Sequence, residues 1–295
     1  MSNVTFKEYF HENALNYLKQ SIFLALAEDG RDLTAEAVFT KGQKMRAYII
    51  AKEDTFIVGL PLIELIFAEY IKLGGGQCTC QTTVTEGDFI KDGSEILRLY
   101  GASVDLLKLE RVILNFISHL SGIANLTNKY VKALEGTDVR LLDTRKTLPA
   151  LRFIEKYAVR LGGGYNHRRD LTEMLMLKDN HIDACGSILN AVEKLRKTYK
   201  PCPPIEVECR NSDEVVEAVR AKADRIMLDN MDVKSLNKCL PLIPKNIEAE
   251  ISGGVSLENI RELALSSRSV RPADYISVGR LTHSATCADF SMRII

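Results

Sequence analysis

The sequence lacks several features that would point to a function class at once. It carries no net charge, because 39 Lys and Arg balance 39 Asp and Glu over 295 residues. A chain that holds nucleic acid through its overall field is usually basic, so no nucleic-acid partner is expected. No apolar run approaches the roughly 20 residues of a membrane span, so no membrane partner is expected either. The N-terminus, Met1 to Gln20, mixes acidic residues and histidine among its apolar positions. It has no basic start followed by an apolar block, and does not read as a secretory signal. The seven cysteines include the C-x-C pair Cys78 and Cys80 but no C-x-x-C. Structural zinc and a disulfide framework are poor fits, and reduced cysteines of a cytoplasmic protein fit better. H-E-x-x-H, G-x-S-x-G and the P-loop are all missing.

What is present is the profile of a folded globular protein, 46% hydrophobic and 26% charged. The length suits two domains, or a barrel with an appendage. The first 28 residues place Phe6, Phe10, Leu15, Leu18, Ile22, Phe23 and Leu26 at helical spacing. Strands are expected at Lys44 to Lys52, Thr79 to Thr85 and Glu95 to Tyr100. Helices are expected at Ile63 to Leu73 and Asp105 to Leu134, the second with a break at Ser121-Gly122. This first third reads as α+β. From about Val139 the rhythm changes. Short apolar runs close on polar residues at Asp143, Glu208, Asp229, Ser252 and Gly279, and amphipathic helices lie between the later ones. That alternation implies a parallel sheet. A barrel is favoured over an open sheet, because chemically active residues end nearly every strand.

Those strand ends carry the chemistry. Between Arg140 and Lys178 stand nine Lys or Arg and four Asp or Glu, a local excess of five positive charges. Arg145 and Lys146 follow a strand directly, His167 and Arg168 follow the turn Gly162-Gly163-Gly164, and Lys178 follows a short apolar run. Cations so placed suit a polyanion carrying carboxylates or phosphates. Arg152, Lys156 and Arg160, at helical spacing, read instead as a solvated face. Glu208 and Asp229 end successive strands, where they could hold Mg2+ directly or through water, stabilise developing positive charge, or simply pair with lysines. Ser252-Gly253-Gly254 and Gly279 could bring backbone N–H groups up to a phosphate. His119 and His283 read as structural and His11 as a surface residue.

Taken in order, the motifs identify a family. Thr144-Arg-Lys-Thr-Leu-Pro149, Gly162-Gly-Gly-Tyr-Asn-His-Arg168, Lys178-Asp-Asn-His-Ile182, Glu206-Val-Glu208, Ile226-Met-Leu-Asp-Asn230, Ser252-Gly-Gly254 and Tyr275-Ile-Ser-Val-Gly279 together resemble the quinolinate phosphoribosyltransferases. The likeness extends to Ala51-Lys-Glu-Asp54, Glu110-Arg111 and His119-Leu-Ser-Gly-Ile-Ala124, and covers almost the whole chain.

The resemblance implies an α/β fold, an incomplete TIM-like barrel beside an α+β sandwich domain completed by the C-terminal tail. The expected limits are 1-115 with 281-295 for the sandwich, and 116-280 for the barrel. It implies a decarboxylating pentosyltransferase that joins quinolinate to phosphoribosyl pyrophosphate with Mg2+. It also implies a homodimer or larger assembly in which Arg111 is donated to the neighbour's site. By the same resemblance, Lys146, Lys178, Glu208 and Asp229 are the catalytic residues, and the last two hold the metal. Arg111, Thr144, Arg145, His167, Arg168 and Lys178 join the substrate set, and Lys146 meets the phosphates. Ser252, Gly253, Gly254, Val278 and Gly279 surround the 5-phosphate, where Arg280 is an addition.

Ala150, Asn125, Arg169-Asp170, Arg280 and the short basic stretch Ser266 to Arg271 depart from the usual pattern without removing a site residue. Three rivals fit less well. A molybdenum-transport-associated relative usually lacks the Lys-Asp-Asn-His motif. A nicotinate phosphoribosyltransferase needs fewer cations. A non-catalytic phosphosugar binder could lose Lys146, Glu208 and Asp229, and all three are here.

Overall fold

The structure, a computed structural model, describes residues 4–295. Along the chain it begins α1 (Phe6–Tyr9), α2 (Glu12–Glu28), α3 (Leu33–Val38), β1 (Lys44–Ala51), β2 (Thr55–Phe56) and α4 (Leu62–Lys72). Next come β3 (Thr79–Thr82), β4 (Phe89–Ile90), β5 (Glu95–Ala102), α5 (Ser103–Ala133), β6 (Arg140–Leu142) and α6 (Arg152–Leu161). There follow β7 (Leu175–Leu177), α7 (Asp179–Cys185), α8 (Ile188–Thr198), β8 (Ile205–Cys209), α9 (Ser212–Arg220) and β9 (Arg225–Asp229). The chain closes with α10 (Val233–Cys239), β10 (Glu248–Ser252), α11 (Ile260–Ala264), β11 (Tyr275–Ser277), α12 (Arg280–His283) and β12 (Phe290–Ile294).

Two compact units result. The first takes residues up to Thr127, Thr147–Gly163 and Thr282–Ile295, and the second takes Asn128–Lys146 and Gly164–Leu281. The sequence reading drew its limits at 115/116 and 280/281; the contacts divide α5 near its end and place α6 in the first unit.

The first unit is built on an antiparallel sheet in the order β12-β1-β5-β3. Alternation in β1 buries Ala47, Ile49 and Ala51 completely, as one covered sheet face requires. The C-terminal tail supplies the edge strand, from Ala51 opposite Phe290 to Ala47 opposite Ile294. The long helix α5 runs unbroken through Ser121-Gly122, contrary to the expected break. A Cβ on Gly122 would stand 2.0 Å from the Thr286 carbonyl oxygen, so this glycine serves a close backbone approach rather than a helix end. The opposite happens near the N-terminus. The helical spacing there is divided between α1 and α2, and Glu12 takes a φ of 47° at the joint. Phe6, Tyr9 and Phe10 gather around Tyr157 at centroid distances of 5.6, 5.4 and 5.5 Å. Lys156 corrects the sequence reading: it is fully buried, not part of a solvated face.

The second unit is a parallel sheet in the order β6-β11-β10-β9-β8-β7, with helices between its strands. Side-chain caps start several of these helices, with Ser187, Asn211 and Asp232 accepting from backbone N–H groups. The outer edge of β6 makes one isolated bridge, Leu142 to Tyr165, and the sheet order ends at β7. This is the incomplete barrel the sequence implied. The basic stretch before β11 is a staple. Arg271, buried, donates to the Ile247 carbonyl at 2.8 Å and to Asp274 at 2.9 Å. Arg261 and Arg268 donate to the carbonyls of Ala133 and Gly136, each at 3.0 Å, around the C-terminal end of α5.

Candidate active site

The carboxyl ends of the parallel strands open into a cavity of about 400 Å3. Strand pleating decides what enters it. Side chains two apart share a face, so Met176 and Lys178, Glu208, Met227 and Asp229, Ser252 and Ser277 all line the cavity. The turn after β6 adds Thr144, Arg145 and Lys146, and the segment before β7 adds His167 and Arg168. Nine residues singled out in the sequence therefore meet: Thr144, Arg145, Lys146, His167, Arg168, Lys178, Glu208, Asp229 and Ser252.

Hydrogen bonds hold the cationic wall in shape. Thr144 Oγ1 accepts the Lys146 N–H at 3.0 Å. Asp143, wholly buried, accepts the His167 N–H at 2.8 Å and Asn166 Nδ2 at 2.6 Å, which ties residues 166–167 to the end of β6. Arg168 Nη1 donates to the Met174 carbonyl at 2.8 Å. Burial, and then the charge of Arg145, press the Arg168 guanidinium below its usual pKa. Arg145 Nε is buried with no hydrogen-bond partner among the described residues. Two guanidinium groups that repel each other, one with an unsatisfied donor, call for an anion.

The acidic residues complement them. Lys178 Nζ donates to Glu208 Oε2 at 2.9 Å. The Asp229 carboxyl is raised above its usual range by burial and then by Glu208, while Lys178 and Lys146 pull it down. Ser277 Oγ donates to Ser252 Oγ at 2.9 Å. Beyond Ser252 the loop turns through Gly253 at φ 83° and Gly254 at φ 63°. A Cβ on Gly253 would lie 2.7 Å from the Asn230 nitrogen, so only glycine fits there. Gly253, Gly254, Val278, Gly279 and Arg280 do not line the cavity itself; they adjoin its Ser252 and Ser277 walls in sequence. Arg111 lines a separate groove of about 670 Å3 in the first unit, with Asn115, Ser118 and His119.

The sequence reading missed residues beneath these. Glu206 and Glu250 are wholly buried. Burial pushes the Glu206 carboxyl up to about 7. It pushes Glu250 up to about 8, with repulsion from Glu206 adding to the effect. His167 Nε2 lies 3.0 Å from Glu206 and 3.5 Å from Glu250. Arg225 Nη1 lies 3.3 Å from Glu250. A signal was present: a covered parallel strand should be nearly all apolar, and Ile205-Glu-Val-Glu-Cys209 and Glu248-Ala-Glu-Ile-Ser252 are not.

Comparison with known proteins bears on what the site belongs to. Residues 32–121 match "Quinolinate phosphoribosyl transferase, N-terminal domain", and residues 123–293 match "Quinolinate phosphoribosyl transferase, C-terminal domain". The chain belongs to the quinolinate phosphoribosyltransferase family. Among curated members, a probable nicotinate-nucleotide pyrophosphorylase [carboxylating] of Bacillus subtilis (strain 168) is 41% identical, over 89% of this chain and 88% of its own. Quinolinate phosphoribosyltransferase [decarboxylating] 1 of Nicotiana glauca is 38% identical, over 94% of this chain and 82% of its own. The crystal structure of NadC from Streptococcus pyogenes superposes with a TM-score of 0.87 at 36% identity, covering 97% of this chain and 99% of that one. A human nicotinic acid phosphoribosyltransferase, 11% identical with a TM-score of 0.58, shares the fold alone.

Proposed function

We propose that the chain transfers the phosphoribosyl group of phosphoribosyl pyrophosphate to quinolinate with decarboxylation, a step of de novo NAD biosynthesis. The products are nicotinate mononucleotide, pyrophosphate and carbon dioxide. One observation carries the reading. A single cavity at the strand ends gathers Arg145, Lys146, Arg168 and Lys178 with Glu208 and Asp229, in a chain of this family.

The chemistry asks for those groups. Quinolinate is a dicarboxylate, and Arg145, Arg168 and Lys178 neutralise and orient it, with His167 in the wall beside them. Lys146 and Thr144 meet the phosphates of the donor. The ring nitrogen forms a bond to the ribose anomeric carbon as the bond to pyrophosphate breaks. Positive charge spreads over the sugar in that step, and Glu208 and Asp229 stabilise it. Ser252 and the backbone of Gly253, Gly254, Val278 and Gly279 take the 5-phosphate, with Arg280 as an extra charge nearby. The carboxylate next to the quaternised nitrogen then leaves as carbon dioxide. Its bonding pair stays on the ring carbon, which takes up a proton from water.

Glu208 and Asp229 also suit Mg2+. They are hard oxygen donors, and the upward pressure of Glu208 on Asp229 is what a divalent cation relieves. When bound, the ion would neutralise phosphate charge and help the leaving group depart. We propose further that the enzyme is a cytoplasmic homodimer or larger assembly, each site completed by Arg111 of the partner subunit. In support, the seven cysteines are all free, and Arg111 is exposed in its own groove. No helix of the described residues is long and apolar enough to cross a membrane.

The test is turnover with phosphoribosyl pyrophosphate and Mg2+, offering quinolinate or nicotinate in parallel. Carbon dioxide and nicotinate mononucleotide from quinolinate alone support the reading. Product from nicotinate without carbon dioxide, or none from either acid, would refute it.

A further inference from the structure

Below the cavity, His167 Nε2 and one oxygen each of Glu206 and Glu250 lie within 4.8 Å of one another, all three residues buried. The proposed reaction assigns Glu206 and Glu250 no role. An imidazole and two carboxylates this close could serve as a metal site, a proton store or a positioning device.

The ring's tautomer separates these. The Arg168 backbone N–H donates to His167 Nδ1 at 2.8 Å. A backbone N–H cannot accept, so Nδ1 carries its lone pair, and the proton of the neutral ring sits on Nε2. Nε2 is the atom that faces Glu206 at 3.0 Å. It therefore turns a proton, not a lone pair for a metal, toward the carboxylate at ion-pair distance. A positive charge is already beside the second carboxylate, from Arg225 at 3.3 Å. That guanidinium is itself fixed by Glu248 at 2.7 Å and by stacking on Tyr275 at 4.4 Å. The cluster forms one continuous chain of close contacts: Arg225 donates to Glu250, the two carboxylates lie at ion-pair distance from His167 Nε2, and the Arg168 backbone donates to Nδ1.

We propose that Glu206 and Glu250 are positioning residues: they lock the His167 ring with Nε2–H pointing inward, and the ring in turn fixes Arg168 in the cavity wall. The need is physical. Arg168 and Arg145 repel each other, so the wall must be held by the protein before an anion arrives to relieve it. Glu206 also attracts Arg168 through space and offsets part of that repulsion. The functional part of this inference rests on the quinolinate reading above; the ring geometry does not.

Two substitutions at one position test it. Glu206→Gln keeps an acceptor for Nε2–H, whereas Glu206→Leu keeps the bulk and removes the acceptor. In the Leu variant the KM for quinolinate should rise about tenfold or more, while the KM for phosphoribosyl pyrophosphate stays within about twofold. The Gln variant should keep both constants within about threefold of the unsubstituted protein. An unchanged quinolinate KM in a folded Leu variant would overturn the proposal, as would an equal rise in both constants. A collapse of kcat in the Gln variant would overturn it in favour of a proton store. Nitrogen-15 spectra of histidine-labelled protein without substrates, with His167 assigned by its loss in His167→Asn, give a readout free of activity and of the Leu variant's folding. The expected signal is a neutral ring protonated at Nε2, kept in Glu206→Gln. A ring protonated at Nδ1, or at both nitrogens, would end the proposal even if quinolinate is turned over. The expected tautomer in a protein that ignores quinolinate would leave the positioning frame standing and remove only the reaction.

Discussion

Lys146 stands among the cavity residues on the turn held by Thr144, and the account gives it the donor's phosphates. Lys146→Ala should therefore lower kcat/KM for phosphoribosyl pyrophosphate by about two orders of magnitude, by loss of preorganised charge stabilisation. Thermal unfolding should barely move, because a charge leaves the cavity and no core contact is lost. A loss of activity matched by a loss of folded protein would contradict this. Glu86 makes the reverse case, a half-buried carboxylate with a stability cost. It accepts the N–H groups of Gly59 at 2.9 Å and Leu60 at 2.8 Å. Burial nevertheless pushes its carboxyl up to about 7, above the 4.5 of a free group. Its folded form thus favours the proton. Its contribution is complete below about pH 4.5 and is lost as pH rises through about 7, by up to about 3 kcal/mol. Against Glu86→Gln, the native protein should be comparably stable at pH 4 and lose ground steadily to pH 7.5 in denaturant titrations. Parallel curves would show that the site is solvated enough to hold the anion at no cost.

At the scale of elements, the strand ends were legible and the strand interiors were not. Asp143, Glu208, Asp229 and Ser252 stand out because polar residues close apolar runs, and the structure brings the last three together with Arg145, Lys146, Arg168 and Lys178. Glu206 and Glu250 break such runs, but what faces and buries them is visible only once the sheet order is known. Lys156 misled for the same reason, since helical spacing marks a face without saying what covers it. Gly122 misled in another way. Glycine lowers helix propensity, but here the C-terminal tail crosses so closely that no side chain fits. Gly122→Ala should consequently destabilise the first unit by about 1–3 kcal/mol, through overpacking against the Thr286 carbonyl. Gains in stability from the better helix former, measured by urea unfolding, would argue that this crossing is loose.

For the whole molecule, the change of rhythm near Val139 was enough to separate an α+β part from a parallel α/β part. The tail strand β12 was not readable from local pattern and came from the resemblance, because a five-residue strand carries no record of its partner. The assembly is where one chain is not enough. If Arg111 serves the partner's site, Arg111→Ala and Lys146→Ala should each be nearly inactive alone. Mixed and allowed to exchange subunits, they should recover about a quarter of native activity, since half the dimers are hybrids with one intact site of two. No recovery after demonstrated exchange would place Arg111 outside the site.

The reaction itself admits a more direct measurement. Quinolinate labelled with carbon-13 in the carboxylate next to the ring nitrogen would be supplied with phosphoribosyl pyrophosphate and Mg2+, following labelled carbon dioxide and pyrophosphate together. The account predicts one labelled carbon dioxide for each pyrophosphate, and nicotinate mononucleotide without label. Pyrophosphate released with the label still on the ring would contradict it.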